Sequence, residues 1–480
     1  MNVSRKLITS LQYGVPKHLL RNTCKIAVAV DESLLTRLDN NELKPRQHPG
    51  IVKLGRVELP SNLCNVLERV IGDYPVKKIL KDCKELDQYI HSRHPPIEQL
   101  ELNAKTKSIM EEVDRRMPPE QLSLLGEEDG TRWRRKRENL IKRLTAQRTY
   151  AWKPIEYGTY ESLVYAIGRG VREYGVLTSI LNELKTRDVG FQPRSYFDFG
   201  SGVGTGMWAA SNLWRDSIFE YYNVDSSRSM NDLSELILRE GNENQQMVLR
   251  NVYYRQFLPA IETMYDLVVL SYTLFELPSS ESRKEVLLNL WKKCNGYLVI
   301  AEEGTRRGYE LVNEARDYIL NLQSEELKGE VFAPCSHNLA CPRLANIADR
   351  TPCNFEVAYA PLRLGDVNDE RHTARYAYVV LKKGEISDAT RNWPRLVRPT
   401  LPRSKHVVCR MCTMDAKLQE VIFTQSKHGR HAYRCAKASD WGDRLPITLG
   451  GPLPTVRKTF KRKEEINGNE QIEQLNNNLT

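Results

Sequence analysis

Between Pro60 and about Arg116, apolar residues recur three and four positions apart in NLCNVLERVIGDY and VKKILKDCKELDQYI, with charges between them, so the pattern predicts a helical region. Pro95, Pro96, Pro118 and Pro119 punctuate it. A second helical stretch, Tyr157 to Arg187, reads as a helix or helix pair that leads straight into a short strand and is expected to pack over it as a lid. From Ser195 the periodicity changes. SYFDF reads as a strand, GSGVGTG as a tight loop and MWAASNLW as a helix, and the short run YYNV stops at Asp225. The alternation then continues: SRSMNDLSELILREG is helical, QMVLRNVYY a strand, YDLVVLSYTLFELP a strong buried strand, ESRKEVLLNLWKKC a helix and NGYLVIAEEGT a strand ending in two acids. Strands and helices in this order predict an α/β, Rossmann-like doubly wound sheet. Further on, ARYAYVVLKK is a strand candidate, Val421 to Leu445 reads as a small β unit, and the polar tail from Val456 is expected to be disordered.

The loop after the first strand places Gly200, Gly202 and Gly204 at alternate positions behind Asp198. A chain passing under a nucleotide-like ligand needs positive φ and close backbone approach, which a Cβ blocks. The helix that follows offers free N–H groups, and Asp225 ends the next strand where a ribose hydroxyl would be held. The spacing lacks the G-x-G-x-x-G arrangement of dinucleotide-binding folds and resembles the first motif of class I S-adenosylmethionine (SAM) methyltransferases. No Asn-Pro-Pro-Tyr, reactive Cys or placed His follows LVVLS. Tyr272 and Glu302 are chemically able to act as bases, but a polar cap on a strand end is the simpler reading of both.

Charge changes the picture of partners. Lys and Arg total 71 against 61 acids, a net +10 with pI near 9.0, which favours a polyanion. Thr131 to Arg148 is densely basic, and Arg134, Arg135, Lys136 and Arg137 beside Trp133 are read as RNA contacts. The strip RNWPRLVRPTLPRSKH offers Trp393, Arg395 and Arg398 for the same purpose. The first thirty residues carry Arg5, Lys6, Lys17, Arg21 and Lys25 with no acid, the character of a mitochondrial targeting segment. No run of about 18 apolar residues suggests a membrane span.

Six of the ten cysteines fall between Cys335 and Cys435, which argues for a local thiolate site rather than a chain-wide disulfide framework. Cys335, Cys341 and Cys353 lie in a Pro-bearing loop, and Cys409, Cys412 and Cys435 follow at a distance. Three thiols from one loop and one from a distant segment suit either zinc or an iron-sulfur cube.

Taken together, DFGSGVGTGMWAA, EEGTRRG, the PC…CP…PC loop, WPRLVRP and YRCAKASDWGD resemble the methyltransferase-like, Rsm22-type assembly factors of the mitochondrial small ribosomal subunit, over roughly Tyr157 to Leu445. The resemblance implies a SAM-binding methyltransferase fold without transferase activity, a 4Fe-4S cluster, and binding to small-subunit rRNA as a monomer in the matrix. Carried onto this chain, Asp198, Gly200, Gly202, Gly204 and Asp225 bind SAM. Cys335, Cys341, Cys353 and Cys409 hold the cluster, with Cys412 able to replace Cys409; no catalytic residue is fixed. The expected organisation is a targeting segment (1–30), a basic helical region (31–156), the methyltransferase domain (157–330), a cysteine-rich region contacting metal and RNA (331–450) and a tail (451–480). Two rivals stand beside it: an active rRNA methyltransferase using the same pocket, and a zinc-stabilised RNA-binding protein.

Overall fold

The computed structural model describes residues 26–452 apart from 261–262, 347 and 365–371. The expected targeting segment and disordered tail therefore lie almost wholly outside the described residues. Where the first meets them, Ile26–Val30 forms a strand, β1, which pairs with the last strand, β14 (Ile447–Pro452). Val30–Thr448 make one compact unit.

The expected helical region is present as α1 (Glu32–Asp39), α2 (Ser61–Ile71), α3 (Val76–Ser92), α4 (Gln99–Arg116) and α5 (Glu127–Arg148). In α2 the apolar spacing turns Leu63, Val66, Leu67 and Ile71 inward, and Gly72 ends the helix at φ 53°. The stretch read as a lid is α6 (Thr159–Tyr165), a π-turn at Ala166–Gly170 and α7 (Val171–Arg187).

The central sheet contains β2 (Ser195–Phe199), β3 (Glu220–Val224), β4 (Val252–Arg255), β5 (Tyr265–Ser271), β6 (Cys294–Glu303), β7 (Gly329–Ala333), β8 (Phe355–Tyr359) and β9 (His372–Lys383). Between them run α8 (Thr205–Trp214), α9 (Arg228–Leu238), α10 (Ser280–Lys293) and α11 (Arg306–Leu320). The strand order is β4-β3-β2-β5-β6-β9-β7, with β8 also paired to β9. The first five strands are parallel, in the doubly wound order, and β9 is antiparallel to β6, β7 and β8. This is the fold class the sequence indicates.

Strand periodicity divides the core between the two faces of the sheet. Leu267, Val269, Tyr297 and Val299 join one core with Leu177, Ile180 and Met207, whereas Val268, Leu270, Leu298 and Ile300 join the other with Leu290, Val312 and Ile319. Both faces are covered, so the parallel strands read as continuous apolar runs.

Three expectations need correction. QMVLRNVYY is a strand only from Val252. The cysteine-rich region, expected as a separate C-terminal metal-binding β subdomain, begins within the central sheet: its loop, including the short helix α12 (Pro342–Ala345), runs from β7 to β8 on the same edge of β9. A smaller sheet does follow, with β12 (Val407–Cys412) paired to β10 (Arg395–Leu396), β11 (Leu401–Pro402) and β13 (Leu418–Phe423). The next stretch, read as β, is a helix, α13 (Gln425–Ala438), capped by Thr424 and kinked at Gly429. Its buried face is built largely of His428, Ala432, Cys435 and Ala436, too weakly apolar to register as a helical stripe.

Candidate functional site

The chain turns outward in both directions from β2 and β5, and the crevice at their carboxyl ends is the switch point where such sheets bind ligands. A cavity of about 270 Å³ lies there. Its floor is Gly200, Gly202 and Asp225 on one side and Ser271, Tyr272 and Thr273 on the other.

All three glycines of the loop have positive φ, at 74°, 51° and 78°. At Gly200 a Cβ would overlap the Thr273 side chain. Asp225 fastens the loop: its two carboxylate oxygens accept from the Gly202 and Ser227 backbone N–H groups at 2.8 and 2.9 Å. Burial nevertheless pushes its pKa above the ordinary carboxylate value. Each oxygen retains a lone pair, the acceptor that a ribose hydroxyl requires.

Asp198 and Gly204 stand apart from the cavity lining. Asp198 is buried behind the loop, accepts from the Tyr196 hydroxyl at 2.7 Å, and is pushed up to about 7 by burial. Gly204 serves as the left-handed N-cap of α8. Both shape the loop from behind.

The lid is built from elements that sequence reading did not join. The Trp152 indole donates to the Phe275 carbonyl at 2.8 Å, the Ile155 N–H to Glu276 at 3.2 Å, and the Ser227 hydroxyl to the Tyr157 carbonyl at 2.8 Å. Arg93, buried just after α3, ion-pairs with Glu276 and donates to the Lys153 carbonyl at 3.0 Å. From α6 and the π-turn, Tyr165 and Arg169 reach the cavity. Arg169 is fully buried and binds Glu173, Asp87 and Glu303; Arg172 adds bonds to Asp87 and Glu303 at 2.7 Å each. Burial would raise Glu303, but the two guanidiniums hold it well below the carboxylate range.

Neighbouring Glu302 has no such partner. Burial pushes it up to about 8, and one oxygen accepts from the Leu274 N–H at 2.7 Å. It therefore keeps its proton to higher pH than an ordinary carboxylate. Tyr272 holds a strained φ of 54°, and its buried hydroxyl has no hydrogen-bond partner among the described residues. From sequence it reads as a polar cap after a strong strand that is chemically able to act as a base; the strain and the buried hydroxyl are visible only in the fold.

Cys335, Cys341 and Cys353 do come together. They line one small cavity with Tyr309, whose hydroxyl lies 3.0 Å from the Cys341 sulfur. The fourth thiol beside them is Cys412. Burial raises its pKa, and the charges of Cys335, Cys353 and Cys341 raise it further. Cys409 is raised to about 12 by burial alone and feels no other cysteine. Three positions apart on β12, the two side chains leave opposite faces of the strand, so only one can turn towards the loop. Among the described residues no three His, Cys, Asp or Glu side chains converge tightly enough to hold a single ion. Thus the donor set suits a thiolate-held group, while its spacing does not form a site for one metal ion. Arg316 and Arg395 flank the loop, donating to the His337 and Pro334 carbonyls at 3.1 and 2.9 Å.

The strip expected to face RNA is largely internal. Trp393 is 1% exposed, and its indole donates to Asp31 at 2.8 Å. Arg395, also 1% exposed, ion-pairs with buried Glu183. Neither is available to stack on or neutralise RNA. Arg398 is half-buried against the Trp441 ring beside the cysteine loop. On α5, Arg134, Arg135 and Lys136 are exposed, whereas Arg137 is half-buried and pairs with Asp114 at 2.6 Å.

The model of the family described as mitochondrial small ribosomal subunit Rsm22 matches residues 159–446, which include the glycine loop, Asp225 and all four clustered cysteines. The chain belongs to this family. It is 35% identical over 430 residues to the human protein named ribosome assembly protein METTL17, mitochondrial, covering 88% of this chain and 91% of that one. It is 28% identical over 334 residues to Rsm22-cox11 tandem protein 2, mitochondrial, of Schizosaccharomyces pombe, spanning 42% of that longer protein. Among solved structures, the magnesium protoporphyrin IX methyltransferase of Synechocystis with bound S-adenosylhomocysteine aligns with 49% of this chain and 90% of its own, at 11% identity and a TM-score of 0.29. The matched residues carry both the doubly wound sheet and the cysteine loop.

Proposed function

We infer that this protein is an assembly factor of the mitochondrial small ribosomal subunit, acting in the matrix as a monomer that binds rRNA, holds SAM and transfers no methyl group. The observation that carries this reading is the agreement over 88% of the chain with a relative named as a mitochondrial ribosome assembly protein. SAM would lie on the glycine loop, with its ribose at Asp225 and its methionine end towards Tyr272. A silent pocket is favoured by the lid: Arg93–Glu276 and Trp152–Phe275 close the crevice where an acceptor base would have to enter. In the second part of the proposal, Cys335, Cys341, Cys353 and Cys412 hold a 4Fe-4S cluster. Four thiolates on an iron-sulfur cube leave a net negative charge, which the flanking guanidiniums of Arg316 and Arg395 complement. Bound, the group would tie the β7–β8 loop to β12.

The test is depletion and rescue. Cells lacking the protein should lose mature small subunits, and both the wild type and a Gly202→Asp variant defective in SAM binding should be scored for subunit recovery and for methyl marks on small-subunit rRNA. Loss of one specific mark with the variant would establish the active methyltransferase instead. Normal subunit levels in depleted cells would remove the assembly reading.

A further inference from the structure

We propose that one face of α5 is a sequence-independent rail for RNA phosphates, formed by Arg132, Arg135, Lys136, Lys142 and Arg143. The inference deepens the reading above, on which it rests: rRNA is the partner there, and the basic run expected from sequence to touch RNA is narrowed here to one face of the helix. At about 100° per residue these five positions fall within an arc of about 120°. All five are exposed, and none pairs with an acid among the described residues. From the first to the last they span about 17 Å of helix.

The opposite side of α5 is occupied. Trp133, Arg137, Leu140 and Leu144 are half-buried along a seam with α4, whose Ile109 and Val113 are buried. Arg137–Asp114 at 2.6 Å and Arg148–Glu112 at 2.6 Å fasten the two helices together. This orients the stripe outward. It also redraws the expectation from sequence, because Arg137 belongs to the seam and Arg134 lies off the stripe, while Arg132, Lys142 and Arg143 join it.

The chemistry of the face selects the partner. A helix that lies on a membrane needs a free apolar face, and the apolar side of α5 is covered by α4. A protein interface centres on buried aromatic or aliphatic anchors, and the stripe has none. Closely spaced cations with no acid among them gain most from a chain of phosphates, because each neutralised phosphate releases a condensed counterion.

The experiment compares the full-length wild type, a stripe variant with all five residues changed to Gln, and a charge-matched control with exposed Lys77, Lys84, Arg215, Lys284 and Lys292 changed to Gln. Binding to a 20-base-pair RNA duplex and to unrelated single-stranded RNA is followed by fluorescence anisotropy between 50 and 200 mM KCl, with thermal melts to establish folding. The stripe variant should bind more weakly to every RNA, and its log–log salt slope should be shallower by about 3.5 to 4.5, at roughly 0.7 to 0.9 per cation. The control should keep the wild-type slope. A stripe variant that binds like a binding-competent wild type overturns the rail alone, as do equal losses in both variants, which would report net charge. Loss of binding to anionic phospholipid vesicles with RNA binding retained would make the stripe a membrane contact and also overturn it. A wild type that binds no RNA at any salt defeats the rRNA reading itself.

Discussion

Replacing Glu183 by Gln should loosen the junction between the lid side of the molecule and the cysteine region. Glu183 is buried on α7 and receives Arg395, Arg187 at 2.8 Å and the Tyr378 hydroxyl at 2.8 Å. Arg395 in turn donates to the Pro334 and Gly442 carbonyls at 2.9 and 2.6 Å, so one carboxylate joins a helix, the central sheet and the start of the cysteine loop. Burial works to raise its pKa, but Arg395 and Arg187 outweigh burial and hold it down at about 2. Measured from an ordinary 4.5, that depression corresponds to about 3 kcal/mol, the scale expected when a buried guanidinium loses its partner. With an unfolding entropy of about 2.1 cal/mol/K per residue over the roughly 420 residues of the compact unit, this lowers Tm by about 3 to 4 °C. The pH dependence is fixed in sign. A depressed folded-state pKa contributes stability that is complete above 4.5 and is lost as pH falls towards 2. The wild-type advantage should therefore be about 0.8 kcal/mol smaller at pH 4 than at pH 7. Urea unfolding at the two pH values, with anaerobically prepared protein, measures both quantities. A Gln variant within 0.5 kcal/mol of wild type at pH 7, or a gap that widens towards acid, would refute the reasoning.

Other perturbations test the two candidate sites. Gly200→Ala forces a Cβ into Thr273 at a left-handed backbone and should weaken SAM at least 10-fold by calorimetry; unchanged affinity would separate the loop from ligand binding. Cys412→Ser should abolish the broad absorbance near 400 nm and the bound iron of anaerobic protein, while Cys409→Ser keeps both; the reverse result would restore Cys409 as the fourth ligand. Zinc in place of iron in the wild type would make the site a structural zinc centre. Trp393→Phe removes an internal hydrogen bond to Asp31 and should cost about 1 kcal/mol in stability without altering RNA affinity; a weaker RNA complex from an equally stable variant would return Trp393 to the interface.

Much of this protein is local, and the chain states it directly. Glycines at 200, 202 and 204 take a backbone that other residues resist, and apolar runs such as LVVL, short, β-branched and bounded by polar residues, fit a strand covered on both faces, so the sheet, its loop and Asp225 can be read residue by residue. Cysteines gathered in one Pro-bearing loop likewise announce a thiol site. What the chain does not state is which way a side chain turns once distant segments meet. Cys409 and Cys412 are equivalent as text, and only the pairing of β12 with its neighbours directs one to the loop and the other into the core. A basic, aromatic strip looks the same whether solvated or buried, and Trp393 and Arg395 are internal because Asp31 and Glu183, more than 200 residues away in sequence, supply their partners. The lid depends in the same way on Arg93 meeting Glu276 across 183 residues. Periodicity records the conformation of neighbours, whereas burial of charge is decided by which counter-charges the tertiary fold brings to it, and no window of sequence contains both.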